Sequence, residues 1–146
     1  MDPDSPRILV VANRTAATPD LIAAVRERAA RGAAGFHLVV PATPRGLHRV
    51  VDPEVAGRNE AEQCLATALP LLSEAAGSPV EGHVGDADPL AAIHDALYRE
   101  PFGEIIVSTL PSRMSIWMHL DLPSKARTFG LPVLHVQAAP AVALAA

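Results

Sequence analysis

Five short runs of aliphatic and β-branched residues constrain this chain more than any other feature. Ile8-Leu-Val-Val-Ala12, Phe36-His-Leu-Val-Val40, Glu104-Ile-Ile-Val-Ser108 and Pro132-Val-Leu-His-Val136 are apolar almost without interruption, whereas Val80-Glu-Gly-His-Val84 is weaker and alternates. A strand that is apolar at nearly every position must be covered on both faces, which is the condition of a parallel sheet held between helical layers. The alternating run needs less cover and reads as an edge strand.

The stretches between these runs carry helix signals. Thr18-Pro19, Asp52-Pro53 and Asp88-Pro89 each set a capping side chain before a proline at the first helical position, and Asp121-Leu-Pro123 is a looser version. Leu21, Ile22, Val25 and Ala29 share one helical face, as do Ala61, Leu65, Leu69, Leu72 and Ala76, and again Leu90, Ile93 and Leu97. Gly32 or Gly35 is placed to stop the first helix and Gly77 the second, and Pro70 is expected to kink or divide that second helix because it lacks a backbone donor. The predicted order is β-α-β-α-β-α-β-α-β, a three-layer α/β/α fold around a five-stranded parallel sheet. Residues 1–6 read as a lead, 7–136 as the folded domain, and 137–146 as an Ala-rich tail.

Composition narrows the function classes. Twelve Lys+Arg against sixteen Asp+Glu leave a net charge of -4, which disfavours a nucleic-acid binder built on phosphate neutralisation. Lys125 is the only lysine, and no run of the eleven arginines forms a polybasic membrane arm. A single cysteine, Cys64, rules out an internal disulfide and reads as a helix packing residue. The acidic N-terminus is unlike a signal peptide, and no stretch approaches the ~18 apolar residues of a membrane span, so a cytoplasmic protein without a membrane partner is expected.

In an open parallel sheet, ligands bind outside the carboxyl ends of the strands, where the strand order reverses. Right-handed crossovers predict the order 3-2-1-4-5, so this crevice lies between the first and fourth strands. The turns that border it put forward Asn13, Arg14, Thr43, Gly85, Asp86, Ser108, Thr109, Ser112, Arg113 and Ser115 as candidate ligand-holding residues. Hydroxyls and guanidinium groups are the donors that hold a small anion such as phosphate, although the same hydroxyls also serve simply as turn residues. Arg113 stands out as the long cation of its loop, five residues past a buried strand.

Established signatures are missing. There is no G-x-G-x-x-G fingerprint, no G-x-x-x-x-G-K loop and no G-x-S-x-G elbow, and no nucleophile stands beside a general base, so no catalytic residue is assigned. His83, Asp86, Asp88 and His94 form the best metal-like grouping, but Asp88 already serves as a helix cap and no metal ligand is assigned. His37 and His135 fall on strands as interior imidazoles, and Trp117 reads as a core or interface residue.

The order of these segments resembles the universal stress protein family. Arg7-Ile-Leu-Val-Val-Ala, Phe36-His-Leu-Val-Val-Pro-Ala, Gly85-Asp-Ala-Asp-Pro89, Glu104-Ile-Ile-Val-Ser-Thr109 and Gly130-Leu-Pro-Val-Leu-His-Val136 carry the resemblance across most of residues 7–136. It implies the same fold, a homodimer, and ATP binding through an acidic residue after the first strand and a glycine-rich loop after the fourth. This chain has Asn13-Arg14 at the first place and Thr109-Leu-Pro-Ser-Arg-Met-Ser115, without glycine, at the second. Glycines let a backbone approach phosphates closely, so ATP or another nucleotide is not assigned as a cofactor and the family's ATP site is expected to be altered or lost.

The first functional reading is therefore a non-catalytic regulatory module of the stress-protein kind that binds a small anionic or nucleotide-like ligand or a protein partner. An enzyme acting on a nucleotide or phosphorylated metabolite at the same crevice is the alternative, and a structural homodimer without ligand is a third. The unprotected last strand, with Pro132, Val133, Leu134 and Val136, is the expected homodimer edge.

Overall fold

A computed structural model describes residues 5–42, 53–111 and 116–138. The elements run β1 (Arg7–Val11), α1 (Pro19–Ala30), β2 (Gly35–Pro41), α2 (Pro53–Ala76), β3 (Glu81–Gly85), α3 (Pro89–Arg99), β4 (Glu104–Thr109), α4 (Ile116–His119), α5 (Leu122–Arg127) and β5 (Val133–Gln137). Four of the candidate residues, Thr43, Ser112, Arg113 and Ser115, lie outside the described residues, as do the Asp52 cap and the tail from Ala139.

The apolar runs become one five-stranded sheet in the order β3-β2-β1-β4-β5, with every neighbouring pair parallel. Alternation within the strands assigns the two faces. Ile8, Val10, Leu38, Val40 and Ile106 pack on one side with Leu21 and Val25 of α1 and Ala61, Ala68 and Leu72 of α2. Leu9, Val11, Val39, Ile105 and Val107 pack on the other with Ala92, Ile93 and Ala96 of α3, Trp117 of α4, and Leu122 and Ala126 of α5. Trp117 is thus a core residue, and the alternating run is an edge strand, as its pattern predicts.

Several local expectations need correction. Asp88 caps α3 by accepting from the Leu90 N–H at 3.0 Å, but Thr18 makes no such bond. Its hydroxyl instead donates to the Thr15 carbonyl at 2.8 Å, tightening the turn before α1. Asp121 does not cap with its side chain either, being held in the left-handed region at φ 55° between the two short helices that replace the single last helix. Pro70 does not divide α2, which runs through it. The lost donor costs about 3 kcal/mol, and burial of Ala61 and Ala68 before it and Leu72 and Ala75 after it against one sheet face offsets that cost. Strand β5 continues through Gln137, one residue past the expected boundary, and the Ala138 N–H donates to the Thr109 carbonyl at 2.8 Å.

Strand β3 lies close under α2 because Gly82 has no side chain. A Cβ there would stand 2.6 Å from the Leu38 carbonyl oxygen and 2.7 Å from Leu65 Cδ1. Gly85 has the same role toward α3, where a Cβ would meet Val39 Cγ2 at 2.8 Å and Ala92 Cβ at 2.9 Å. Gly82→Ala is expected to destabilise the fold by about 1–3 kcal/mol through overpacking, read as a lower urea midpoint; an unchanged midpoint refutes the close-packing role.

Candidate functional site

The carboxyl ends of β1 and β4 adjoin at the centre of the sheet, where the strand order reverses. Here the turn after β1 presents Asn13, half-buried, and Arg14, exposed. The Asn13 side-chain oxygen accepts from the Arg14 backbone N–H. Among the described residues the Arg14 guanidinium makes no ion pair or hydrogen bond. Both residues line a cavity of about 260 Å³ whose far wall is α2, with Glu60, Gln63, Cys64 and Thr67.

Ser108 and Thr109 reach the same end of the sheet but turn inward. Ser108 is buried, and its hydroxyl lies 2.6 Å from that of Thr15, tying β4 to the turn after β1. The Thr109 hydroxyl lies 2.8 Å from Nε2 of His135 on β5. These two hydroxyls brace the crevice from within, whereas Asn13 and Arg14 face outward.

A second polar cluster sits at the β3 edge. In the β2–β3 register His37 opposes Glu81 and Val39 opposes His83, so the two imidazoles are diagonal neighbours on one face. Nε2 of His37 and Nδ1 of His83 are 2.7 Å apart, and Nδ1 of His37 is buried without a partner. Burial holds both imidazoles below the ordinary value of 6.5. Arg7 and Arg99 press the same way on His37 against the opposing pull of Glu100 and Glu81; for His83 the lowering neighbours are His37 and Arg99, opposed by Glu100 and Asp95. Asp86 accepts from the Asp88 N–H at 2.8 Å, within the turn that opens α3. Among the described residues no three of the His, Cys, Asp and Glu side chains gather as metal ligands.

No protein-family profile matches the chain, and no curated protein matches it. Solved structures do. A universal stress protein from Archaeoglobus fulgidus superposes with a TM-score of 0.62 at 19% identity, covering 90% of this chain and 93% of its own. A universal stress protein in complex with cAMP gives 0.61 at 16% identity, covering 91% and 97%. The Archaeoglobus fulgidus protein in complex with dAMP gives 0.57 at 16% identity, covering 91% and 98%. The chain has the universal stress protein fold.

Within that fold the candidate residues separate by position. Asn13 and Arg14 line the cavity between the turn after β1 and α2, while Gly85 and Asp86 line a different cavity at the β3 edge together with His83, Asp95 and Arg99. Sequence reasoning missed the His37–His83 pair, because His37 and His83 stand 46 residues apart and only the strand register brings them together. It also passed over Arg58, Asp95 and Arg99, which look like ordinary charged helix residues until α2 and α3 are set beside β3.

The imidazole pair makes stability pH-dependent with a definite sign. Both folded-state values are lowered, so the unfolded chain takes up protons first as pH falls. Stability is full above pH 6.5 and declines below it toward the lowered folded values. Urea denaturation from pH 8 to 5 is expected to show this decline, with part of it remaining in a His37→Leu/His83→Gln variant because burial, and secondarily Arg127, lower His135 as well. A slope identical in both proteins removes the pair as its cause.

Proposed function

We propose that this protein is a non-catalytic regulatory module that binds a small anionic, nucleotide-like ligand at the carboxyl ends of β1 and β4. The observation that carries this reading is the turn after β1, beside the strand-order reversal, where Arg14 extends a guanidinium without an ion pair among the described residues and lines a cavity against α2. Such a position favours ligands in parallel α/β sheets, and a guanidinium favours phosphate. The cAMP and dAMP complexes among proteins of this fold support a nucleotide-like ligand. Arg113, Ser112, Ser115 and Thr43 join the proposed site on their sequence positions alone, whereas Gly85 and Asp86 stand apart from it at the β3-edge cavity.

The mode of binding differs from the ATP site that the resemblance implies, since a cation stands after β1 and the loop after β4 lacks glycine. The Thr15–Ser108 bond holds the two strand ends together without any ligand. Calorimetry is expected to show AMP-type nucleotides binding more tightly than Mg-ATP, with Arg14→Ala weakening them about tenfold. Micromolar Mg-ATP binding refutes the altered site, and unchanged AMP affinity in the variant removes Arg14 from it.

The proposed oligomer is a homodimer through β5. This strand is a sheet edge, with Leu134 47% exposed. A groove of about 470 Å³ between Leu134, Pro132 and Arg31 runs beside it. Pairing two such edges completes both ladders and covers Leu134. Light scattering at micromolar concentration is expected to show a particle of twice 15.3 kDa that Leu134→Lys converts to the monomer; a monomer before mutation ends the proposal.

A further inference from the structure

The cavity at the carboxyl end of β3 is separate from the crevice beside β1, and its chemistry is lopsided. It encloses about 580 Å³, within the range of small-molecule pockets, and opens between the first turns of α2 and the outer face of α3. Its charged walls are Arg58 from α2, Asp86 from the turn after β3, and Asp95 and Arg99 from α3, with His83 at its base. By formal charge the arginines and carboxylates balance. In the hydrogen bonds they make they differ: Asp86 accepts from the Asp88 N–H, whereas Asp95, 3.9 Å from Nδ1 of His94, is too far to accept from it. The Arg58 and Arg99 guanidinium groups make no hydrogen bond or ion pair among the described residues.

The histidine pair adds a third donor. Nδ1 of His37 is buried without an acceptor, so a proton there would be an orphaned N–H, whereas an orphaned lone pair is cheaper. The favoured tautomer therefore places the His37 proton on Nε2, donated to Nδ1 of His83. His83 must then carry its own proton on Nε2, and His83 lines the cavity. Two guanidinium groups and one imidazole N–H are thus free to donate to a ligand in the cavity.

We propose that this cavity is a second ligand site, taking a small organic phosphate between Arg58 and Arg99 with the His83 Nε2–H as the third donor. A phosphate offers enough acceptor oxygens for two guanidinium forks and an imidazole together. The cavity is far larger than one phosphate, and the oxygens left on Asp86 and Asp95 suit the hydroxyls of an attached polyol or sugar. This site goes beyond the crevice of the proposed function and does not depend on it.

Calorimetry with ribose 5-phosphate, inorganic phosphate and ribose as probes tests the assignment. Ribose 5-phosphate is expected to bind best, inorganic phosphate more weakly, and ribose not at all. Arg58→Ala and Arg99→Ala are each expected to weaken ribose 5-phosphate at least about tenfold, with Arg99→Lys recovering part of the loss. His83→Phe is expected to weaken it less, and Arg26→Ala, at an exposed position of α1 outside both sites, not at all. Both arginines are exposed, so circular dichroism and thermal midpoints of their variants should match the unmutated protein. No binding of either phosphate up to about 10 mM overturns the proposal. Binding lost in Arg14→Ala but kept in Arg99→Ala also overturns it, and assigns the phosphate to the β1 crevice instead.

Discussion

A parallel sheet has no face to turn toward water. In this protein β1, β2 and β4 are buried along almost their whole length, and residues such as Leu9, Val10, Leu38 and Ile105 are fully enclosed. Removing that much apolar surface from water requires helices on both sides, and that requirement dictates the layer order and the right-handed crossovers. It also decides where polar chemistry can stand. With both faces covered, functional side chains are confined to strand ends and sheet edges, which is where Arg14 and the His37–His83 pair are found.

The buried hydroxyls inside this frame find partners on neighbouring elements. Thr15 of the turn after β1 bonds to Ser108 of β4, Thr109 bonds to His135 across β4 and β5, and Arg28 of α1 grips Glu104 at the start of β4 with contacts of 3.0 and 3.1 Å. Buried hydroxyls left unpaired would each cost on the order of 1–3 kcal/mol, so these pairs stabilise mainly by preventing that loss. The Arg28–Glu104 pair is largely shielded on its arginine side and fastens the end of the sheet opposite the carboxyl ends of the strands. Close approach of β3 to both helical layers, through Gly82 and Gly85, leaves that edge narrow and brings Arg58 and Arg99 toward a common cavity.

Fold and ligand are separable here. Likeness to universal stress protein structures at 16–19% identity carries the architecture across nearly the whole chain, while chemistry at the strand ends is this chain's own. An asparagine and an arginine follow β1, and the buried Ser108 of β4 is spent on an internal bond. Function therefore has to be read from those side chains, since one fold supports many sites.

What the sequence alone determined is whatever depends on periodicity and local chemistry. Continuous apolar runs specified the parallel strands, the alternating run specified an edge, and Asp88-Pro89 marked a helix start that the Leu90 contact bears out. Thr18 and Pro70 escaped local rules because a nearby carbonyl and a buried helix face competed with them and won. The crevice could be located from topology, and Asn13 and Arg14 were legible as the turn after β1 that borders it. Ser108 and Thr109 pointed the same way on paper, but which way a hydroxyl turns depends on partners 93 and 26 residues distant. The imidazole pair and the β3-edge cavity were decided only by tertiary structure, because strand register and helix placement arise from packing of the whole core and leave no mark in any local stretch of sequence.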